Sequence, residues 1–316
     1  GIMMRVVFMG TPEFAVASLD ILLKERIDIV AVVTQPDRPV GRKRIITPPP
    51  VKKLAIEHNI PVYQPAKVRD EEFIKKLLSL EPDLIVVVAF GQILSRQVLD
   101  IPKIGCINVH ASLLPKYRGA APVQWAIING EKVTGVTTMW MDEGLDTGDI
   151  FLQESIEIKD DWTALELFSE LSILGGKLLI DTLKHIKSGN IIRIAQDDTQ
   201  ATYAPMLKKE IGKIDWSKSA NEICNLIRGT YPWPCAYTIL KGREIKIFKA
   251  RPFPSGNAPA PGRYRGLVKN EGFLVGTGTG DILVTELQEA GSKRMKATEY
   301  LIGHHFKEGD LFADYQ

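Results

Sequence analysis

Four apolar runs, at residues 5–9, 27–34, 84–89 and 107–110, punctuate the first third of the chain, and stretches of helical period at 14–24 and 70–80 lie between them. Continuous apolar runs of this length suit strands buried on both faces, and amphipathic stretches between them suit crossover helices. The pattern predicts an α/β fold with a doubly wound, mainly parallel, Rossmann-like sheet, whose ligands lie at the carboxyl ends of the strands. Further strands are expected at 135–141 and 150–158, and a long amphipathic helix at 163–188. After a stretch without strong period come a helix at 220–228 and short apolar runs at 236–240, 244–249, 262–268, 272–275 and 282–287, broken by Gly and Pro. Short strands so punctuated predict a small β-barrel. The expected domains are therefore 1–189, a linker at 190–210, and 211–316.

The chain has 316 residues, 45% of them hydrophobic and 25% charged, which is ordinary for a globular protein of two domains. No apolar run approaches bilayer length and no leader pattern opens the sequence, so a cytoplasmic protein is expected. Gly1 and Ile2, ahead of Met3 and Met4, read as a scar, with Met4 able to start the natural chain. Three cysteines, Cys106, Cys224 and Cys235, have neither pairing parity nor metal-ligand spacing. A metal site is not expected. The net charge of +2 hides an asymmetry: from Met206 onward there are 17 Lys and Arg against 12 Asp and Glu. The basic excess is modest and fits either a solvated face or a polyanionic partner.

The chemistry concentrates in Gly105-Cys-Ile-Asn-Val-His-Ala-Ser-Leu-Leu-Pro-Lys-Tyr-Arg-Gly119. In an extended 107–110 segment, Asn108 and His110 project to one face while Ile107 and Val109 enter the core. An amide with two N–H donors and an imidazole then share one mouth, which suits stabilising a developing oxyanion and moving a proton in one step. Transfer of a formyl group to an amine has these demands. About thirty residues on, Asp142-Glu-Gly-Leu-Asp-Thr-Gly-Asp149 supplies carboxylates, among which Asp142, Asp146 and Asp149 are not separable by chemistry alone.

Gly10-Thr-Pro-Glu13 reads as a strand-to-helix turn with Thr11 as N-cap and Pro12 at the first helical position. It is not G-x-G-x-x-G, which disfavours a dinucleotide. The stretch 35–50 holds four basic residues among Pro and Gly and has no packing period, so it is expected to be a long loop, functional or merely solvated.

The segments Ile107-Asn-Val-His110, Ser112-Leu-Leu-Pro115, Arg118-Gly119 and Gly144-Leu-Asp-Thr-Gly148 resemble the formyltransferase family that uses 10-formyltetrahydrofolate. Val6-Val-Phe-Met-Gly-Thr-Pro-Glu-Phe-Ala15, Asp215-Trp-Ser, Ile227-Arg-Gly and Pro232-Trp-Pro234 are similar to its tRNA-acting members. The resemblance runs along nearly the whole chain, with the motifs in family order and spacing.

It implies an enzyme, a translation-initiation formyltransferase, that formylates the α-amino group of methionyl initiator tRNA with 10-formyltetrahydrofolate as co-substrate and no metal. It implies Asn108, His110 and Asp146 as catalytic residues and an OB-like C-terminal domain that binds tRNA. Ser112, Leu113, Leu114 and Pro115 would line the folate site, with Arg118 helping to hold it, and Phe90, Gly91 and Gln92 are a further pterin-site candidate. The basic insertion with Arg38, Arg42, Lys43 and Arg44 would meet the acceptor end of the tRNA, together with Lys208, Lys209 and Arg228. Relatives commonly carry a lysine where this chain has Met206, which moves that contact to Lys208 or Lys209. Arg228, Lys246, Lys249 and Arg251 would share a basic face, and Trp216 and Trp233 are expected in the core. A monomer is expected. The rivals are a formyltransferase acting on an amino sugar or purine precursor, an RNA-binding protein without catalysis and, more distantly, a nicotinamide-dependent dehydrogenase.

Overall fold

The computed structural model describes residues 3–313, so Gly1 and Ile2 lie outside the described residues. The chain forms two compact units: one gathers residues up to Pro122 with Val133–Glu157 and Phe168–Ala204, the other Val123–Lys132, Ile158–Leu167 and the chain from Pro205 onward.

Elements follow in the order β1 (Arg5–Gly10), α1 (Glu13–Lys24), β2 (Asp28–Val33), β3 (Arg38–Val40), β4 (Ile45–Thr47) and α2 (Pro50–Glu57). Next come β5 (Val62–Tyr63), α3 (Glu71–Ser79), β6 (Leu84–Val88), α4 (Arg96–Leu99), β7 (Gly105–His110), α5 (Pro122–Ile128), β8 (Val133–Trp140), β9 (Ile150–Glu157) and α6 (Ala164–Lys187). The remainder is α7 (Ala220–Gly229), β10 (Ala236–Leu240), β11 (Arg243–Phe253), β12 (Tyr264–Val268), β13 (Gly272–Gly276), β14 (Asp281–Glu289), β15 (Met295–Lys296) and α8 (Ala297–Gly303).

The first unit is built on a seven-stranded sheet of order β5-β2-β1-β6-β7-β8-β9. Pairing is parallel from β5 through β7 and antiparallel onto β8 and β9. Alternation along the strands feeds two cores. Val6 and Phe8 of β1, Val86 of β6 and Ile107 and Val109 of β7 share one core with Leu19 and Leu22 of α1 and Leu179 and Leu183 of α6. Val7, Met9, Ile85, Val87 and Cys106 share the other with Phe73, Ile74 and Leu77 of α3. A strand buried on both faces must be apolar at every position, and this produces the continuous runs in the sequence. From β1 the chain first winds to β2 and β5 and then returns across β1 to β6, so the winding reverses there. The carboxyl ends of β6 and β7 open beside that switch point, the usual place for a ligand in such sheets.

Three local expectations change. Thr11 is not the N-cap of α1: Pro12 holds that position with no side-chain cap, because the Thr11 hydroxyl donates to the Phe90 carbonyl and accepts from the Gln35 N–H. The basic stretch is not an open loop, since β3 and β4 pair as an antiparallel ribbon of their own. Val40, Ile45 and Ile46 are all exposed, so the ribbon buries no face and leaves no alternation to read. The stretch 190–210 is not featureless either. Ile194 pairs with Ile150, and Tyr203 with Arg118, which ties the chain as far as Ala204 to the first unit.

The second unit carries an antiparallel sheet of order β10-β11-β14-β13-β12, with β15 on β14, consistent with the OB-like reading. Helix α7 opens on a capping box in which the Ser219 hydroxyl accepts from the Glu222 N–H and the Glu222 carboxylate accepts from the Ser219 N–H. Its Ile223 and Ile227 bury against Trp216, Ile245, Phe273 and Val284. Trp216 is core, as expected. Trp233 is not: 60% of it is exposed.

Candidate active site

Asn108 and His110 leave β7 on the face opposite Ile107 and Val109, with His110 the last residue of the strand. Asn108 is half-buried, and its amide makes no hydrogen bond to the rest of the protein among the described residues. Its donors are left for a ligand. His110 is buried, and its Nε2 lies 2.8 Å from the Tyr117 carbonyl oxygen. A carbonyl only accepts, so Nε2 carries a hydrogen and the neutral ring presents the Nδ1 lone pair on its other side. That side faces Asp146, whose Oδ2 is 3.7 Å away. The distance is too long for a hydrogen bond but close for an ion pair once Nδ1 takes up a proton. Asp146 is thereby singled out from the three aspartates. Asp142 accepts instead from the Gly144 N–H and the Thr147 hydroxyl, as a turn residue does.

The Asp146 carboxylate is itself held. Its Oδ2 accepts from the Gly119 N–H at 2.8 Å, and its backbone sits in the left-handed region at φ 54°. Gly148 closes the same turn so tightly that a Cβ there would collide with the Trp140 carbonyl oxygen. Gly119 has φ 112° and lies against the Ala204 backbone, a placement that favours glycine twice over.

The segment leaving β7 is bonded to itself and to the neighbouring strands β8 and β9. The Ser112 hydroxyl donates to the Lys116 carbonyl, the Leu114 N–H donates to the Thr137 hydroxyl, and the Gln153 amide donates to the Leu114 carbonyl. Leu114 is buried, Leu113 is half-buried, and the Pro115 carbonyl accepts from the Thr202 N–H. At the carboxyl end of β6, Phe90 is core and the Gly91 carbonyl accepts from the Gln35 amide. Gln92 is engaged on both ends, accepting from the Val68 N–H and donating to Gln35 and Pro65.

Arg118, which the resemblance placed beside the folate, is engaged within the protein. Its buried guanidinium donates to Gln196 Oε1 and to Asp198. Burial works against its charge, yet Asp198 and Tyr203 hold it above the ordinary arginine value. Gln196 was not singled out in the sequence. It lies in a stretch without period, and a lone glutamine there carries no signal.

Of the basic residues, Arg38, Arg42, Lys43 and Arg44 are exposed on the β3–β4 ribbon, the last three around its turn. In the second unit, Lys208 is exposed and Lys209 pairs with Glu244 at 3.0 Å. Arg228 turns inward, donating to the Trp162 carbonyl and to Asn225, and burial lowers its pKa. The basic face it was expected to share is largely neutralised, since Lys249 pairs with Glu286 and Arg251 with Glu271.

A formyl transferase domain matches residues 4–183, and a formyl transferase C-terminal domain matches residues 206–305. The chain belongs to the formyl transferase family. It is 52% identical over 309 residues to the methionyl-tRNA formyltransferase of Acetivibrio thermocellus, covering 98% of this chain and 99% of the relative. The enzyme of the same name from Geobacter sulfurreducens is 51% identical, covering 97% of this chain and 96% of the relative. Among solved structures, the N-formyltransferase from Helicobacter canadensis in complex with folinic acid and dTDP-3-aminofucose superposes with a TM-score of 0.69 at 21% identity, covering 93% of this chain and 100% of that one. HypX from Aquifex aeolicus in complex with tetrahydrofolic acid superposes with a TM-score of 0.63 at 20% identity over 95% of this chain, which spans about half (47%) of HypX. These two likenesses show that proteins of distant sequence share this fold.

Proposed function

We infer that the chain transfers the formyl group of 10-formyltetrahydrofolate to the α-amino group of methionyl initiator tRNA, giving formylmethionyl-tRNA for translation initiation. The observation that carries the reading is likeness at about half identity, end to end, to proteins named methionyl-tRNA formyltransferase. Asn108, His110 and Asp146, gathered at the carboxyl end of β7, support it.

The donor set fits a formyl group. Asn108 offers amide hydrogens with no protein acceptor, beside an imidazole whose Nδ1 can hold a proton. The folate supplies the formyl carbon, and the chain's own residues do the rest. An α-amino group with a reference pKa of about 7.7–8.0 has an appreciable neutral fraction near pH 7, so it needs placement more than activation. As the amine adds to the formyl carbon, negative charge grows on the formyl oxygen, which Asn108 stabilises through its amide hydrogens and His110 through Nδ1 once that nitrogen carries a proton. The amine nitrogen must shed a proton, which Asp146 accepts directly or through His110, while the folate nitrogen gains one as its bond to carbon breaks. The Asp146 carboxylate also holds the imidazolium against the Tyr117 carbonyl on its far side.

The segments at 112–115 and 90–92 flank this mouth and are proposed to line the folate. The basic ribbon, with Lys208 and Lys209, is proposed to meet tRNA phosphates, whereas Arg228 keeps its inward bonds. Among the described residues no helix is long and apolar enough to cross a membrane. The proposed setting is the cytoplasm, and the proposed state a monomer, as are domains 1–189 and 211–316 joined through 190–210.

The test offers labelled 10-formyltetrahydrofolate with methionyl initiator tRNA, methionyl elongator tRNA, an amino-sugar nucleotide and glycinamide ribonucleotide in parallel. Strong preference for the initiator tRNA is expected. Transfer only to a small acceptor overturns the tRNA reading, and transfer to none overturns the catalytic one.

A further inference from the structure

We propose that Gln196, oriented by the buried Arg118, is a positioning residue for Asp146, acting on the backbone of the turn that aims its carboxylate at His110. The proposal rests on the catalytic role given to Asp146 above.

The left-handed backbone of Asp146 is less favourable than the right-handed one, though less so for an aspartate than for most residues, and bonds to its carbonyl help to keep it. Beside the Gly119 N–H on the carboxylate, one side-chain amide binds the backbone of the turn. Gln196 Nε2 donates to the Asp146 carbonyl at 2.8 Å and to the Gly148 carbonyl at 2.7 Å, using both its hydrogens. These two carbonyls flank the bend, so one amide closes it.

Which end of that amide meets the turn is decided by Arg118. Its Nε and Nη2 lie 3.2 and 2.8 Å from Gln196 Oε1. A guanidinium has no acceptor, so it selects the oxygen and leaves the NH2 for the carbonyls. Asp198, 2.7 Å from Nη2, holds the guanidinium in turn. The next residue along, Gly119, donates its N–H to the Asp146 carboxylate at 2.8 Å. Two adjacent residues therefore fix both ends of the aspartate: Gly119 its carboxylate directly, and Arg118 its backbone through Gln196.

A purely structural role for Gln196, as a partner for Arg118 alone, makes a different prediction. Gln196→Glu keeps an acceptor for the guanidinium but faces the two carbonyls with an oxygen in place of their donor. Gln196→Met removes both bonds and carries the same test should the glutamate variant fail to fold. Each is measured for kcat and KM in the full chain and again with Asp146→Asn. Misplacement of a reacting group by about 1 Å costs on the order of 100-fold. The proposal expects a kcat loss approaching that value, with KM for both substrates and the melting temperature little changed. Added to Asp146→Asn, the same substitution should cost less than about twofold further, because its effect passes through the carboxylate that is already gone.

Hydrogen exchange across 142–149 gives a readout independent of turnover, and it should quicken in Gln196→Glu while the strands stay unchanged. Wild-type kcat in Gln196→Glu, equal cost in both backgrounds, or unchanged exchange at 142–149 overturns the positioning role. A wild-type protein that formylates nothing overturns the functional reading instead, and the two failures are distinct.

Discussion

The imidazole of His110 shows how far one hydrogen bond can set a mechanism. Because the Tyr117 carbonyl accepts from Nε2, proton traffic is confined to Nδ1 on the Asp146 side. Asn108→Ala removes the free donor, and its kcat is expected to fall about 100-fold to 1000-fold with little loss of stability. A steady-state assay at saturating substrates checks this. Cys106, two residues from Asn108 in sequence, takes no part. It faces the core under β7, and burial pushes its thiol up to about 12, as it does for Cys224, while Cys235 is raised as well. A thiol whose pKa is raised stays protonated and unreactive until the pH nears that value. At pH 8 the folded protein should leave both Cys106 and Cys224 unlabelled by an aromatic disulfide reagent, and denaturant should release all three thiols. At this scale the sequence was informative about Asn108 and His110, because strand alternation puts them on one face. Chemistry alone did not separate Asp146, which only the family resemblance picked out, from its neighbours, and nothing pointed to Gln196 or to the inward bonds of Arg118, because these rest on contacts between segments dozens of residues apart.

Among the elements, the β3–β4 ribbon separates chemistry from pattern most clearly. Its basic residues were legible, but its strands were not, because a ribbon exposed on both faces has nothing to alternate. A network at its base pins it: Lys52 pairs with Asp37 at 3.1 Å, and Gln64 donates to Asp37 and to the Gln35 carbonyl. Hydrogen bonds from Gln64 and Lys52 lower the Asp37 pKa, so whatever this pair adds to ribbon order is present above the ordinary carboxylate pKa and is lost as the pH falls through the lowered value. If the ribbon meets phosphates, Arg42→Ala should weaken all tRNAs alike and reduce the slope of log K against log salt by about 1. Filter binding over a salt series measures it, and an unchanged slope would remove Arg42 from the contact. The turn at 142–149 is the converse case. Its glycines were visible, and the structure gives Gly148 its reason in the Trp140 carbonyl it must pass.

At the level of the whole molecule, the two cores flanking the parallel sheet were the most legible feature, since strands buried on both faces write themselves as continuous apolar runs. Short elements such as α4, α5, β5 and α8 were not, because two to seven residues hold too little period to distinguish helix or strand from turn. The second unit depends on its own aromatic core, in which Phe273 is fully buried and stacks on Phe312 with ring centroids 5.7 Å apart. Phe273→Ala should destabilise that unit by about 3–5 kcal/mol, seen as a lowered denaturant midpoint. The proposed chemistry of the site is formylation of methionyl-tRNA through Asn108, His110 and Asp146. It is tested most directly by single-turnover formyl transfer at saturating enzyme, comparing wild type with Asn108→Ala and Asp146→Asn while tRNA binding is measured alongside. Wild type should transfer, with a rate loss of about 100-fold or more in Asn108→Ala and a large loss in Asp146→Asn, at undiminished tRNA affinity. Variants that transfer at the wild-type rate would contradict this chemistry.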